Sequence, residues 1–319
     1  MGLILSLFND QKSGSWQPSS IDTLSDEEIY ALIDGIRDED IIGSRNEDLK
    51  DFYRGSIVHR ISHDAVVKYG YEFESFTMSY VASRTSIPIP PVRRVLPPRP
   101  AGHEFEQWIV MDLIEGETLE TAWPTLSWWS RLRVIWYIRR YMRQLHSIPI
   151  PYPDQPGPFD VSGKPHECGG LFFTLSGGGP FTSYAEMADW YDRRRFDALV
   201  HSFHSNRCGA LMQCPKFDRS QPLAVCHMDL HTGNIIIDRN GIPWIIDWGE
   251  AGAYPIWFDY VKAAYFTTPW TLWNRSMTFM FGDYRKYLEE YLLRMQVVWD
   301  DHVMDFPLDY FSKRGMKVD

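Results

Sequence analysis

Cysteine is scarce in this sequence. Cys168, Cys208, Cys214 and Cys226 are the only four in 319 residues, too few and too scattered for a disulfide scaffold, and a chain of this length buries enough surface to need none. Free thiols, a reducing compartment and a cytoplasmic location are the expectation. Long apolar runs are also missing: the longest, WIVMDLI, falls far short of the roughly 20 residues that cross a bilayer, so integral membrane association is not expected. The opening residues, MGLILSLFND, have no basic stretch ahead of a short apolar one and do not read as a secretory leader. Gly2 with Ser6 matches the bare myristoylation pattern, which chains beginning Met-Gly often meet by chance. Basic charge is in deficit, with 32 Lys and Arg against 42 Asp and Glu and a net charge of -10. That balance disfavours nucleic acid and anionic lipid as partners and leaves a neutral or cationic small molecule.

What is present fits a globular enzyme: 44% apolar residues, 23% charged, and no internal repeat. Ser25-Asp-Glu-Glu is a capping box that predicts a short helix over about 26–35. SIVHRIS and AVVKYG, joined by His63 and Asp64, read as a hairpin, and EFESFTMSYVAS has helical spacing that TSIPIPPV ends. Strands are predicted near VRRVL and QWIVMDL, which makes the region up to about residue 113 a small α+β lobe with one helix between its third and fourth strands. Beyond it, WWSRLRVIWYIRRYMRQLHSI predicts a long helix with Leu132, Ile135, Ile138, Met142 and Leu145 on one face. Residues 149–180, rich in Pro, Gly and Ser, read as a long ordered loop or insertion. Helices resume at SYAEMADWYDRRRFDALVHSF, and the last are expected between Trp257 and Trp299. The expected organisation is an extension over 1–50, a smaller lobe over 51–113, a larger, mainly helical lobe over 114–298, and a tail over 299–319.

The chemistry is concentrated in VCHMDLHTGNIIIDRNGIPWIIDWGE, residues 225–250. Asn240-Gly241 between β-branched runs is a strong hairpin signal. As a two-residue loop it sets Asn234 directly across from Asp247, with Cβ atoms about 5 Å apart. An amide and a carboxylate so paired suit a hard cation such as Mg²⁺. Asp229, on the loop entering the hairpin, is placed to take a proton from an attacking hydroxyl, and the reaction this points to is phosphoryl transfer. Lys68, stiffened by its strand, is the candidate cation for the nucleotide phosphates. Glu74 is the candidate acid that holds it, with Glu72 as the competitor.

These residues carry a resemblance. HMDLHTGN, with IIDW thirteen residues beyond its Asn, resembles the catalytic loop and metal-binding Asp of the aminoglycoside phosphotransferase family and its fungal relatives, members of the protein-kinase-like fold. VVKYG, ESFTMSYVASRTSIPIP, IVMDLIEGETL and AGAYP also look like landmarks of that family, and together the likeness spans about residues 50–295. It implies a bilobal α+β fold, a sheet lobe that binds nucleotide and a mainly helical lobe that carries the catalytic loop. It further implies His227 as a structural loop residue, Asp229 as the base, and Asn234 and Asp247 as ligands for Mg²⁺. Met111 to Ile114 would form the hinge, where backbone groups of Asp112 and Ile114 meet the adenine of ATP, with GTP as the alternative nucleotide. Arg54, Gly55 and Ser56 stand where a phosphate loop is expected, and Met228 stands where the family commonly has Gly. No long activation segment fits after Asp247, so a small-molecule hydroxyl acceptor is implied rather than a protein: aminoglycoside-like, choline-like, a sugar or a secondary metabolite. The rival reading is a catalytically silent kinase-like binding module, or the same fold recruited to other chemistry.

Other residues invite ordinary explanations. Glu250 and Asp259 could face an amine-bearing acceptor, but a helix cap or a surface charge is the simpler expectation. His201, His204, Cys208 and Cys214 match no standard zinc spacing. The 13 Trp and 18 Phe are expected to fill cores.

Overall fold

The structure is a computed structural model that describes residues 17–42, 58–97, 106–170, 172–173, 177–204, 215–265, 268–288 and 307–315. Gly2, Gly55 and Ser56, and the thiols of Cys208 and Cys214, lie outside them. Two compact units make up the chain: residues 1–130 with 232–249, and residues 131–231 with 250–319.

The first unit is built on an antiparallel sheet in the order β1-β2-β3-β5-β4, from β1 (Ile41–Ile42), β2 (Val58–Arg60), β3 (Ala65–Tyr71), β4 (Val92–Leu96) and β5 (Glu106–Asp112). The β2–β3 turn takes in Ser62 as well as His63 and Asp64, since the Ile61 N–H already donates to Ala65 O and Arg60 pairs with Val66. Helix α1 (Asp26–Asp34) starts where the capping box predicts, with the Ser25 hydroxyl and the Glu28 carboxylate each accepting the other residue's backbone N–H. Its Ile29 and Ile33, with Ile21, pack on Ala65, Val67, Leu96 and Val110. Because side chains alternate along a strand, covering Ala65 and Val67 sends Val66 and Lys68 to the opposite face. There β3 runs directly into helix α2 (Glu72–Ala82), whose first turn carries Glu74.

A three-stranded antiparallel sheet in the order β6-β8-β9 completes this unit, from β6 (Gly116–Thr118), β8 (Ile235–Asp238) and β9 (Pro243–Ile245). Strand β7 (Leu223–Cys226) belongs to the second unit, as does its antiparallel partner β10 (Gly252–Pro255). Short helix α3 (Leu119–Ala122) leads toward α4 (Trp128–Leu145).

The second unit is mainly helical. The α4 helix buries Ile135, Ile138, Met142 and Leu145 as the heptad-like spacing predicts, together with Val134, Tyr137 and Tyr141, while Leu132 is only half-buried. Helices α5 (Tyr184–His204), α6 (Trp257–Tyr265), α7 (Thr271–Arg275) and α8 (Met277–Phe281) follow. Much of the aromatic surplus packs inside, where Phe172 stacks on Phe258 at 4.1 Å between centroids, Tyr191 on Phe217 at 4.6 Å and Trp257 on Tyr287 at 4.5 Å, while Trp128, Trp129, Phe203 and Phe279 are exposed. Among its described residues, the 149–180 stretch has no helix or strand and is pinned by bridges from Gly157 to Ala253 and from Cys168 to Gly178.

Candidate active site

In the first unit the candidate site is a buried cation held by two acids. Lys68 Nζ lies 2.7 Å from Glu74 Oε1 and 2.6 Å from Asp247 Oδ1, with only 4% of Lys68 and 2% of Glu74 exposed. Burial by itself would lower the lysine's pKa, but the charges of Glu74 and then Asp247 outweigh it and hold the ammonium above its ordinary range. Burial pushes the Glu74 carboxyl up, Lys68 pulls against that, and the backbone N–H of Trp248 supplies a further bond to the carboxylate. The short interval from 68 to 74 works because no loop intervenes between β3 and α2: Glu74 sits in the helix's first turn, where a carboxylate meets the helix dipole favourably. Glu72, the competitor, is exposed.

The hairpin that carries Asn234 and Asp247 differs from expectation by one residue. Ile235 pairs with Ile245, Ile236 with Trp244 and Ile237 with Pro243, so the loop holds three residues, Arg239 to Gly241, and not the two of Asn240-Gly241. Gly241 takes a left-handed φ of 71°, and Asp238 Oδ1 accepts the N–H groups of Asn240 and Ile242. A turn closed by a left-handed glycine is a favoured three-residue hairpin loop. Asn234 therefore faces Ile246, whose N–H donates to Asn234 O at 3.1 Å, and does not sit directly across from Asp247. A one-residue slip would ordinarily turn Asp247 to the other face. Asp247 instead leaves the strand with a left-handed φ of 63°, a conformation Asp tolerates better than most residues, and its carboxylate reaches Lys68.

Met111 is buried in β5 opposite Val66 and Val92. The Asp112 N–H donates to Pro91 O at 3.1 Å, so that donor is used within the protein, and the half-buried Ile114 follows in the chain. The Asp112 carboxylate is gripped by the guanidinium of Arg93 through Nε at 2.5 Å and Nη2 at 2.9 Å, and Arg93 also reaches Asp22 at 3.4 Å. Asp112 foremost, with Asp22, holds the Arg93 pKa up. This planar two-point clamp stiffens the end of β5, and nothing local in the sequence announces it.

In the second unit the loop after β7 is held from beneath by α6. The buried Asp259 carboxylate accepts the Met228 N–H at 2.9 Å and the His227 N–H at 3.3 Å, and pairs with His146 Nε2 at 2.8 Å. Burial pushes the Asp259 pKa up, but the His146 bond, its charge and the Met228 N–H together bring it below the ordinary carboxylate range. Asp259 is thus neither a surface charge nor a helix cap, and it does not face solvent at 1% exposure. His227 is fully buried and its Nδ1 accepts the Asp229 N–H at 3.2 Å, in keeping with a structural loop residue. Met228 is also fully buried, with a left-handed φ of 69°, the conformation that explains why glycine suits this position.

Asp229 has a partner that sequence reasoning missed. Lys262 Nζ, on α6, lies 3.1 Å from Asp229 Oδ1 and 3.0 Å from Glu250 Oε2, and His231 Nε2 lies 3.8 Å from Asp229 Oδ2. Lys262 is 3% exposed, and Glu250 and then Asp229 overcome its burial to hold the ammonium above its ordinary range. The available signal was a lone lysine within the apolar run of WFDYVKAAY. His204 carries no zinc-type arrangement: its Nδ1 meets Val200 O at 3.0 Å and its Nε2 meets Tyr310 Oη at 2.7 Å.

Chemically, the first unit offers a fixed cation between two carboxylates, and the second a carboxylate on a braced loop. Solved structures share this fold. The apo form of a thermostable mutant of aminoglycoside phosphotransferase APH(4)-Ia is 15% identical, covers 85% of this chain and 89% of its own, and superposes with a TM-score of 0.51. The streptomycin-ATP-APH(2″)-IIa ternary complex is 14% identical over 86% of this chain and 88% of its own, at 0.51. ADP-bound APH(2″)-Ib is 14% identical over 88% and 93%, at 0.50. A comparison with curated proteins gave no match. Among the described residues, no helix is long and apolar enough to cross a membrane. The phosphotransferase enzyme family matches residues 53–292, well over half of the sequence, and this chain therefore belongs to that family.

Proposed function

We propose that the chain transfers the γ-phosphoryl group of ATP to an alcohol hydroxyl of a small-molecule acceptor. The observation that carries this reading is the buried Lys68 held between Glu74 and Asp247. A lysine fixed on a strand by an acid on the next helix is a ready counter-charge for nucleotide phosphates. In this reading Asp229 takes the acceptor's proton, the acceptor oxygen bonds to the γ-phosphorus, the bond from phosphorus to the bridging oxygen breaks, and ADP leaves. Met111 to Ile114 would receive the adenine, with the Asp112 carbonyl, not its N–H, as the group on offer. Gly55 and Ser56 are proposed as phosphate contacts from their place in the sequence.

Asn234 and Asp247 are oxygen donors, a set that fits Mg²⁺. When bound, the ion would neutralise charge on the phosphoryl oxygens. Lys68 engages one Asp247 oxygen, so the same residue can orient its carboxylate for the ion.

The net charge of -10 supports a neutral or amine-bearing acceptor, such as an aminoglycoside-like or choline-like compound, a sugar or a secondary metabolite, and a cytoplasmic setting with ATP or GTP as donor. The test is direct. Mg²⁺ and ATP are expected to raise the melting temperature, and slow phosphate release from ATP is expected to vanish in Asp229→Asn. A chain that shows no nucleotide binding at all would be the silent binding module instead.

A further inference from the structure

We infer that Lys262 is a positioning residue for Asp229, fixing which carboxylate oxygen the base presents to an acceptor. The inference rests on the function proposed above. Its grounds are geometric. Asp259 and Lys262 are three positions apart on α6 and so share one face of the helix. Asp259 holds the loop through the backbone of His227 and Met228, while Lys262 holds the side chain of Asp229. One rigid element thus grips both the loop and the carboxylate that the loop carries.

The lysine is itself held in place. Its second partner, Glu250, is wedged against Gly170 in the 149–180 stretch. Gly170 has a left-handed φ of 86°, and a Cβ there would come within 2.3 Å of Glu250 Oε2. Lys262 Nζ is therefore fixed from two sides. Its bond to Asp229 Oδ1 sets the rotation of that carboxylate about its Cβ–Cγ bond and turns Oδ2 to the side of His231. A buried ammonium carries a large desolvation cost that an apolar side chain on the same helix would avoid, and the group it meets at 3.1 Å is the proposed base. A role confined to packing does not account for that choice.

The test uses the full chain with Mg²⁺ and ATP, water serving as the acceptor and phosphate release as the signal, with ATP affinity measured by calorimetry and folding by thermal melting. Lys262→Met is expected to lower kcat by about tenfold or more, the scale of a misplaced catalytic group, while KM and Kd for ATP stay within about twofold. Lys262→Arg should recover most of the loss, because it restores a cation to Asp229. If Lys262→Met does not fold, the double variant Lys262→Met, Glu250→Gln removes one charge of each sign and is read the same way. Wild-type kcat in a folded Lys262 variant overturns the inference, as does a loss of kcat matched by an equal loss of ATP affinity. Asp229→Asn separates the two levels: if it leaves turnover unchanged, the proposed function fails; if it abolishes turnover while Lys262→Met does not, only the positioning role fails.

Discussion

The Asp259 carboxylate accepts the Met228 N–H at 2.9 Å and so holds a fully buried methionine at a left-handed φ of 69°. Asp259 has no exposed surface to speak of and is bonded to His146, His227, Met228 and the Cys226 thiol, which makes it the keystone of the loop that carries Asp229. Asp259→Ala is expected to cost about 3 kcal/mol, because removing one member of a buried charged network strands the others. Denaturant unfolding would read this. A cost below about 1 kcal/mol would show the loop to be self-supporting.

The same carboxylate gives a pH dependence. Its folded pKa lies below the unfolded value because the His146 and Met228 bonds outweigh burial. Stability from this group is then fully present above the ordinary carboxylate range and is lost as pH falls through the folded value. Unfolding free energies followed downward from neutral to about pH 3 are expected to fall less steeply for Asp259→Asn than for the wild type. Parallel curves would contradict the assignment.

Met228 sets backbone strain against packing. Replacing it with Gly relieves a left-handed residue by roughly 1–2 kcal/mol, but emptying a fully buried methionine site costs about 2–5 kcal/mol. The cavity term is the larger, so Met228→Gly is expected to destabilise by up to about 4 kcal/mol, the difference of the two ranges. A higher urea midpoint for the variant would mean that strain dominates.

Lys68 allows stability and function to be separated. Lys68→Met leaves Glu74 buried without its cation and is expected to cost about 3 kcal/mol, much of which Lys68→Met with Glu74→Gln should restore by removing both charges. ATP turnover should stay lost in both. Recovery of turnover along with stability would remove Lys68 from the nucleotide site.

Gly70 tests the same triad without touching a charge. A Cβ at this position would come 2.6 Å from Glu74 Oε2 and 3.1 Å from Ile109 Cδ1, so Gly70→Ala must push the carboxylate off Lys68 or open the strand. Weaker ATP binding by about 1–2 kcal/mol, the scale of a local overpacking, is the expected calorimetric result in a chain that still folds. Unchanged affinity would show that the lysine does not depend on this carboxylate's position.

Much of the fold was legible because it depends on local rules. The Ser25–Glu28 box starts α1 through bonds within one turn, and the prolines from Pro88 on keep the chain out of helix beyond the end of α2 at Ala82 by removing donors and restricting backbone angles. The hairpin register was not legible. Asn240-Gly241 supports loops of two or three residues, and the choice fell to Asp238, whose carboxylate binds the N–H groups of Asn240 and Ile242. Arg93 and Lys262 escaped for a different reason: their partners are 19 positions away at Asp112 and 33 at Asp229, and no period or spacing links residues so placed.

The sequence by itself determined the element types, the polar and apolar faces of the long helices, and the identities of Lys68, Glu74, Asp229, Asn234 and Asp247 as candidates, since propensity, periodicity and side-chain chemistry are properties of neighbouring residues. Tertiary structure alone decided which acid meets Lys68, which way Asp247 turns, and that Asp259 and Lys262 grip the loop from beneath. Those outcomes depend on burial, where an unpaired charge is too costly to leave and each group must find its partner across the fold.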